Sequence, residues 1–229
     1  MNPKDQTNLR RKWRRWHNII QDQIGWLTGS KFFYEQMTKN IKSTESGDFY
    51  NWLTDNYLIS AGVVIRQMME KKHRRFNTIS LRRLLEDIKE HNGAFPMRYF
   101  YKRMRYAESP LNEVYINEEL EEFEGSGICV DPKKIQKDLV ELEKRLRPIA
   151  TWVDKKVVHI EISRFNVKYP TVTDIGDAIH YLEQLSSKYN RLLNAPNEKR
   201  IDDLLPTNLT SGKWKEELRM LFSRVRYVK

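Results

Sequence analysis

The chain has 229 residues, enough for one domain of ordinary size or two small ones, with a buried core. Hydrophobic residues make up 39% and charged residues 31%, and only nine glycines and eight prolines are present, too few for the many turns of an all-β protein. The net charge is +10, which suits a polyanionic partner through counterion release from phosphates, while a single cysteine, Cys129, excludes an internal disulfide and leaves no Cys/His cluster at zinc spacing.

Residues 6–28 read as an amphipathic helix, with Trp13, Trp16, Ile20, Ile24 and Leu27 at three- and four-residue steps and Arg10, Arg11, Arg14 and Arg15 on the other side. Gly29 and Ser30 mark a break, so 1–29 stands as a basic N-terminal helix and 31–43 as a second, shorter one. Residues 47–72 form the longest apolar-periodic segment, and Phe49, Trp52, Leu53, Tyr57, Ile59, Val63, Val64 and Met68 predict a largely buried helix. HRRFNTI interrupts it. Ser80 caps SLRRLLEDIKEH, whose Leu81, Leu84, Leu85 and Ile88 form an apolar stripe, and Asn92-Gly93 closes it.

Residues 94–130 form an insertion with an abrupt change of sign. PMRYFYKRMRY is basic and aromatic, whereas the stretch from Glu108 to Glu124 holds seven acids and no base. Two readings of the basic run stand side by side. Arg98, Lys102 and Arg103 contact phosphates while Tyr99, Phe100 and Tyr101 stack bases, as in single-strand binders, or the aromatics pack inward and the cations cover the acidic segment.

Asp131-Pro132 is a helix start, cap followed by proline at the first helical position. The helix runs to about 162, with Pro148 inside it, where proline kinks or divides a helix. SRFNVKYP is a connection, Thr173 caps a strong helix over 173–194, and KWKEELRMLFSRV closes the chain as a short helix. With no internal repeat and no good strand pair, the expected fold class is all-α, one helical bundle spanning 1–229. No apolar run reaches the roughly 18–20 residues that span a bilayer, and no apolar signal core follows the basic N-terminus. The expectation is a soluble cytoplasmic chain without membrane contact.

Glycine-rich phosphate loops, serine elbows and H-E-x-x-H are absent from the sequence, and no cofactor or metal is expected. WVDKKVVHIE, 152–161, is the stretch that carries chemistry. On an α-helix, Lys155 lies one turn before His159 and Lys156 three residues before it, with Asp154 to the side. Nearby ammonium groups favour a neutral imidazole, a competent general base, and attract a phosphodiester. RNA carries its own nucleophile, the 2′-hydroxyl, so such a face suffices to cleave it. The plainer reading is a solvated helix face. Arg66 likewise either pairs with Glu70 one turn on or reaches the cleft. Arg82 and Arg83 read as solvated, and His17, His73, His91 and His180 show no metal-ligand pattern, His180 reading as a packed structural residue.

The pair 131–162 and 173–194, the segment IRQMMEKKHRRFNTISLRRLLEDIKEH and the Asp-Lys-x-x-x-His helix followed by KYNRLL resemble HEPN domains, in particular their abortive-infection U-type branch. The resemblance covers about residues 30 to 222. It implies an all-α fold with extra terminal helices, a homodimer through the helices around His159, and a metal-independent endoribonuclease whose Arg-x4-6-His motifs meet in one RNA cleft. It implies His159 as general acid/base and Asp154 as the polar residue after the family's arginine. That arginine falls at Val153 here, with Lys155 or Arg164 as substitutes, so a degenerate RNA-binding relative is the companion expectation. It also implies a bacterial defence or toxin–antitoxin setting, with an antitoxin or other protein partner. A reading from a different class is a non-enzymatic interaction module whose acidic 108–124 segment binds a basic partner. Duplex-DNA binding through the basic first helix rests on charge alone.

Overall fold

The computed structural model describes residues 2–41, 47–71, 78–97, 121–124, 129–158 and 168–194. Among the described residues five α-helices carry the fold: α1 Pro3–Asn40, α2 Gly47–Met68, α3 Leu81–Glu90, α4 Pro132–Trp152 and α5 Val172–Leu193. A short 3-10 turn, Asn92–Ala94, follows α3, and a π-helical turn, Val153–Val158, extends α4. The all-α class is as expected. No described helix is long and apolar enough to cross a membrane.

Helix α1 is the spine. It starts at Asn2, whose side chain accepts from the Asp5 amide at 2.8 Å, with proline at the first helical position. It does not break at Gly29-Ser30. The buried positions Trp13, Ile20, Ile24, Leu27 and Tyr34 keep one helical face across that dipeptide, and packing of this face on α5 and α2 outweighs the roughly 1 kcal/mol propensity cost of glycine. The stripe Leu81, Leu84, Leu85 and Ile88 of α3 is fully buried, and Ser80 caps it by accepting from the Arg83 amide at 3.1 Å, both as expected. Thr171, not Thr173, caps α5. Its hydroxyl accepts from the Asp174 amide while the Asp174 carboxylate accepts from the Thr171 amide, a reciprocal capping box.

The described ends of the insertion join the core. Phe95 stacks on Trp13 with centroids 5.4 Å apart, and Phe123 meets Tyr189 edge-on at 5.5 Å. Asp138 of α4 ties in α5, accepting from the Tyr189 hydroxyl at 2.8 Å and pairing with Lys188 at 2.9 Å. Burial, then the Asp138 charge, push the Tyr189 hydroxyl far above its ordinary pKa, so it stays a donor.

One expectation about the core fails. Phe49, Trp52 and Ile59 of α2 are exposed, not buried, as are Ile19, Trp26 and Phe33 of α1. Helix α2 is apolar on more than one side, and only the side bearing Tyr57, Leu58, Ala61, Ile65 and Met68 is buried.

Candidate functional site

Helix α4 runs through Pro148 without dividing. Proline removes one amide donor there, and the buried residues Leu142, Leu146, Ile149 and Trp152 hold the helix on both sides of it. At Val153 the α-helix gives way to the π-turn over 153–158, in which i→i+5 bonding widens each turn, a form rare in helices and frequent at functional sites. The α-helical spacing expected for 153–158 therefore does not hold.

The junction of the two forms is packed on Gly62 of α2. Trp152 and Val153 are both buried. A Cβ at position 62 would stand 2.8 Å from Trp152 Cζ3 and 3.0 Å from Val153 Cγ2, so the absence of a side chain there is what lets α2 and α4 approach. Tyr169 closes the other side of Trp152 edge-on at 5.4 Å. Val153 is the position where the resemblance places the family's arginine, and it is core.

With Val153 turned inward, Asp154 faces Arg66 of α2. Arg66 Nε donates to Asp154 Oδ1 at 2.8 Å, and its Nη1 donates to Glu70, one helical turn on. The expected pairing of Arg66 with Glu70 is present, and Asp154 is a second partner. Burial works against the guanidinium charge, but the hydrogen bond donated to Asp154 and the charges of Asp154 and Glu70 outweigh it and raise its pKa further. Lys155 is half-buried and Lys156 exposed beside the pair. Three cations and two carboxylates leave this cluster with one positive charge. Chemically it holds the Asp154 carboxylate on a guanidinium through one charge-assisted hydrogen bond, next to ammonium groups that attract a phosphodiester.

His159, Arg164, Arg98, Lys102 and Arg103 lie outside the described residues. Asp154, Lys155 and Lys156 lie on the π-turn, and Arg66 joins them from 88 residues away. No local motif marks that pair, and the only signal was the position of Arg66 at the end of an apolar helix face.

Other expectations sort as follows. His180 is exposed, because α5 turns Ile179 and Leu182 inward instead. The buried histidine is His17, whose Nε2 donates to the Ser186 carbonyl at 3.0 Å; burial lowers its pKa from 6.5 to about 4 and keeps it neutral. Asp87, Glu90 and His91 come close enough to share a cation, but Asp87 already accepts from Lys12 at 2.7 Å and from Trp13 Nε1 at 2.5 Å. Arg82 is not solvated: it pairs with Glu86 at 3.0 Å and with Glu143 of α4. Arg83 lies over the Trp16 ring at 4.7 Å and donates to the Thr78 carbonyl. In the basic first helix, Arg14 donates to the Leu193 carbonyl at 2.7 Å and Arg10 to the Ala94 carbonyl at 2.6 Å. At the described end of the acidic segment, Glu122 pairs with Arg191 at 3.1 Å, and the Glu121 carbonyl accepts from Lys134. Glu122 thus meets one of the chain's own bases.

A family model, that of AbiU2 within the HEPN domains, matches residues 7–205. The chain belongs to the AbiU2 family of HEPN domains. No curated protein and no solved structure matches it. The AbiU2 match begins inside α1, well before residue 30, and so takes in most of the basic first helix together with the whole Arg66–Asp154 cluster. Membership brings this AbiU2 chain an abortive-infection-related, HEPN-type function. The short C-terminal helix expected at 213–225 falls after the match and outside the described residues.

Proposed function

We propose that this AbiU2 chain is an RNA-directed, metal-independent endoribonuclease acting in bacterial defence, in a toxin–antitoxin arrangement and as a dimer. The observation that carries the reading is the Arg66–Asp154 pair on the π-turn, with Lys155 and Lys156 beside it and His159 next along the sequence. The 2′-hydroxyl oxygen of RNA attacks the adjacent phosphorus and the bond from phosphorus to the 5′-oxygen breaks. His159 takes the 2′-hydroxyl proton or gives one to the departing 5′-oxygen, and water balances the other transfer. Lys155 and Lys156 hold the phosphate and offset the charge that builds on it. Arg66 supplies, from a neighbouring helix, the guanidinium that Val153 does not, and it orients Asp154.

The test is cleavage of end-labelled RNA in EDTA by the full chain. Wild type leaves 2′,3′-cyclic phosphate ends, and His159→Ala slows it by roughly a hundredfold or more with its helix content intact. RNA binding without cleavage by wild type establishes the degenerate relative instead. Absence of both sinks the RNA reading.

A further inference from the structure

Tyr169 is the most exposed large apolar side chain among the described residues, at 61%. Single exposed aromatics are common and need no explanation, but this one is held in place. Its ring meets Trp152 edge-on with centroids 5.4 Å apart, and Trp152 is itself buried. Pro170 follows it and is buried, and a residue before proline is confined to extended backbone. Thr171, next along, is locked to the start of α5 by its reciprocal bonds with Asp174. The chain therefore fixes the Tyr169 ring from both sides and still leaves most of it in solvent. An aromatic ordered before binding loses little freedom when a ligand stacks on it.

Trp152 ties this ring to the proposed site. It is the last residue of α4 and stands directly before the π-turn. Lys155 and Lys156 follow within one turn. A helical turn rises about 5 Å, little more than the roughly 3.4 Å between successive phosphates along one strand. A phosphate held by these lysines thus leaves an adjoining base within reach of Tyr169. Lys168, exposed, adds a cation next to the ring. Among the described residues, the acids closest in sequence to Trp152 and Tyr169 are Asp154 and Asp174, and both are engaged, by Arg66 and by the Thr171 cap. Cations beside an exposed ring are the combination with which proteins hold single strands, because every base has a π-face to stack.

We infer that Tyr169 is a base-binding residue of the RNA site, stacking an unpaired base beside the phosphate that Lys155 and Lys156 hold, with purines favoured because their larger rings stack better. The inference rests on the RNA reading above and names its substrate class, single-stranded RNA with a purine beside the cleavage point. In a duplex the base faces are covered by their neighbours, and Tyr169 contributes nothing to its binding.

The test is binding of the full chain, by fluorescence anisotropy, to labelled oligoadenylate and oligouridylate of about 12 nucleotides with 2′-O-methyl riboses. These strands have no 2′-hydroxyl to attack, so they report binding apart from cleavage. Wild type is expected to bind oligoadenylate several-fold more tightly than oligouridylate. Tyr169→Leu keeps an apolar side chain against Trp152 but has no π-face, and should weaken oligoadenylate binding about tenfold while leaving the binding of a duplex unchanged. Tyr169→Phe keeps the face and binds like wild type. Equal affinity of Tyr169→Leu and wild type for oligoadenylate overturns the inference and leaves the RNA reading in place. An equal loss in Tyr169→Leu and Tyr169→Phe, or a wild type that binds the two strands alike, overturns it too. A wild type that binds neither strand overturns both.

Discussion

Single side chains set two testable properties of this molecule. His17 is neutral in the folded chain, with a pKa lowered from 6.5 to about 4 by burial. Between those values the unfolded chain binds a proton that the native one refuses, so stability falls as pH drops through that window. Over 2.5 pH units the loss is about 3 kcal/mol, and it levels off below pH 4. Urea unfolding at pH 7, 5.5 and 4.5 measures it, and His17→Gln should flatten the His17 part of the profile. At the site, Arg66→Lys keeps the charge and loses the fork that Nε and Nη1 present to Asp154 and Glu70. Because these partners are partly exposed, stability changes by less than about 1 kcal/mol. The RNA cleavage rate should fall about tenfold or more, as Asp154 is left loosely held. Equal rates for wild type and Arg66→Lys would remove Arg66 from the proposed mechanism. The converse repair, Val153→Arg, puts a cation into the core against Gly62 and should cost at least about 3 kcal/mol, visible as lost solubility or a lowered Tm.

Elements explain how much of this was legible in the sequence. The stripe of α3 and its Ser80 cap, and the Asp131-Pro132 start of α4, were readable because cap and periodicity are local signals. The Gly29-Ser30 break and the Thr173 cap were misread for the same reason. Local rules favour a stop at Gly-Ser, and only packing of α1 on α5 and α2 overrides it. Thr171 outranks Thr173 through a reciprocal bond with Asp174 that needs both partners in place. The buried face of α2 could not be told from its exposed aromatic face, since both are apolar and only the neighbours differ. Of the candidate site, Lys155 and Lys156 are singled out by their spacing from His159 and Asp154 by the resemblance, while the link to Arg66 depends on how close α2 and α4 come. Gly62 sets that distance. Gly62→Ala gains helix propensity of about 1 kcal/mol but forces the Trp152 ring and Val153 to shift, and overpacking of this kind costs about 1–3 kcal/mol. A net loss by urea unfolding, together with weaker RNA cleavage, is expected. A more stable Gly62→Ala with unchanged cleavage would show that the junction tolerates a methyl group.

At the scale of the whole molecule, the basic excess is not spread evenly. Arg10, Arg14 and Arg82 are spent on carbonyls and carboxylates inside the fold, and Glu122 takes up Arg191. The net charge of +10 already counts the carboxylate pairs, so Arg10 and Arg14, turned to carbonyls, are cations withdrawn from a polyanion beyond it. RNA binding should show a salt dependence near 0.7 per phosphate contact for single strands, and Lys155→Ala with Lys156→Ala should reduce that slope by about one to two contacts. Binding titrations at several salt concentrations check this, and an unchanged slope would take these lysines off the RNA path. The π-turn at 153–158 also bears on how relatives are compared. A stretch that advances by i→i+5 bonding holds one residue more per turn than the α-helix before it. A one-residue deletion in a homologue that tightens this turn to α form would remove the extra residue and leave the following side chains facing as they do here. Alignments that refuse such a gap would pair residues that point in different directions, and the apparent loss or gain of a motif across the family would be a matter of winding.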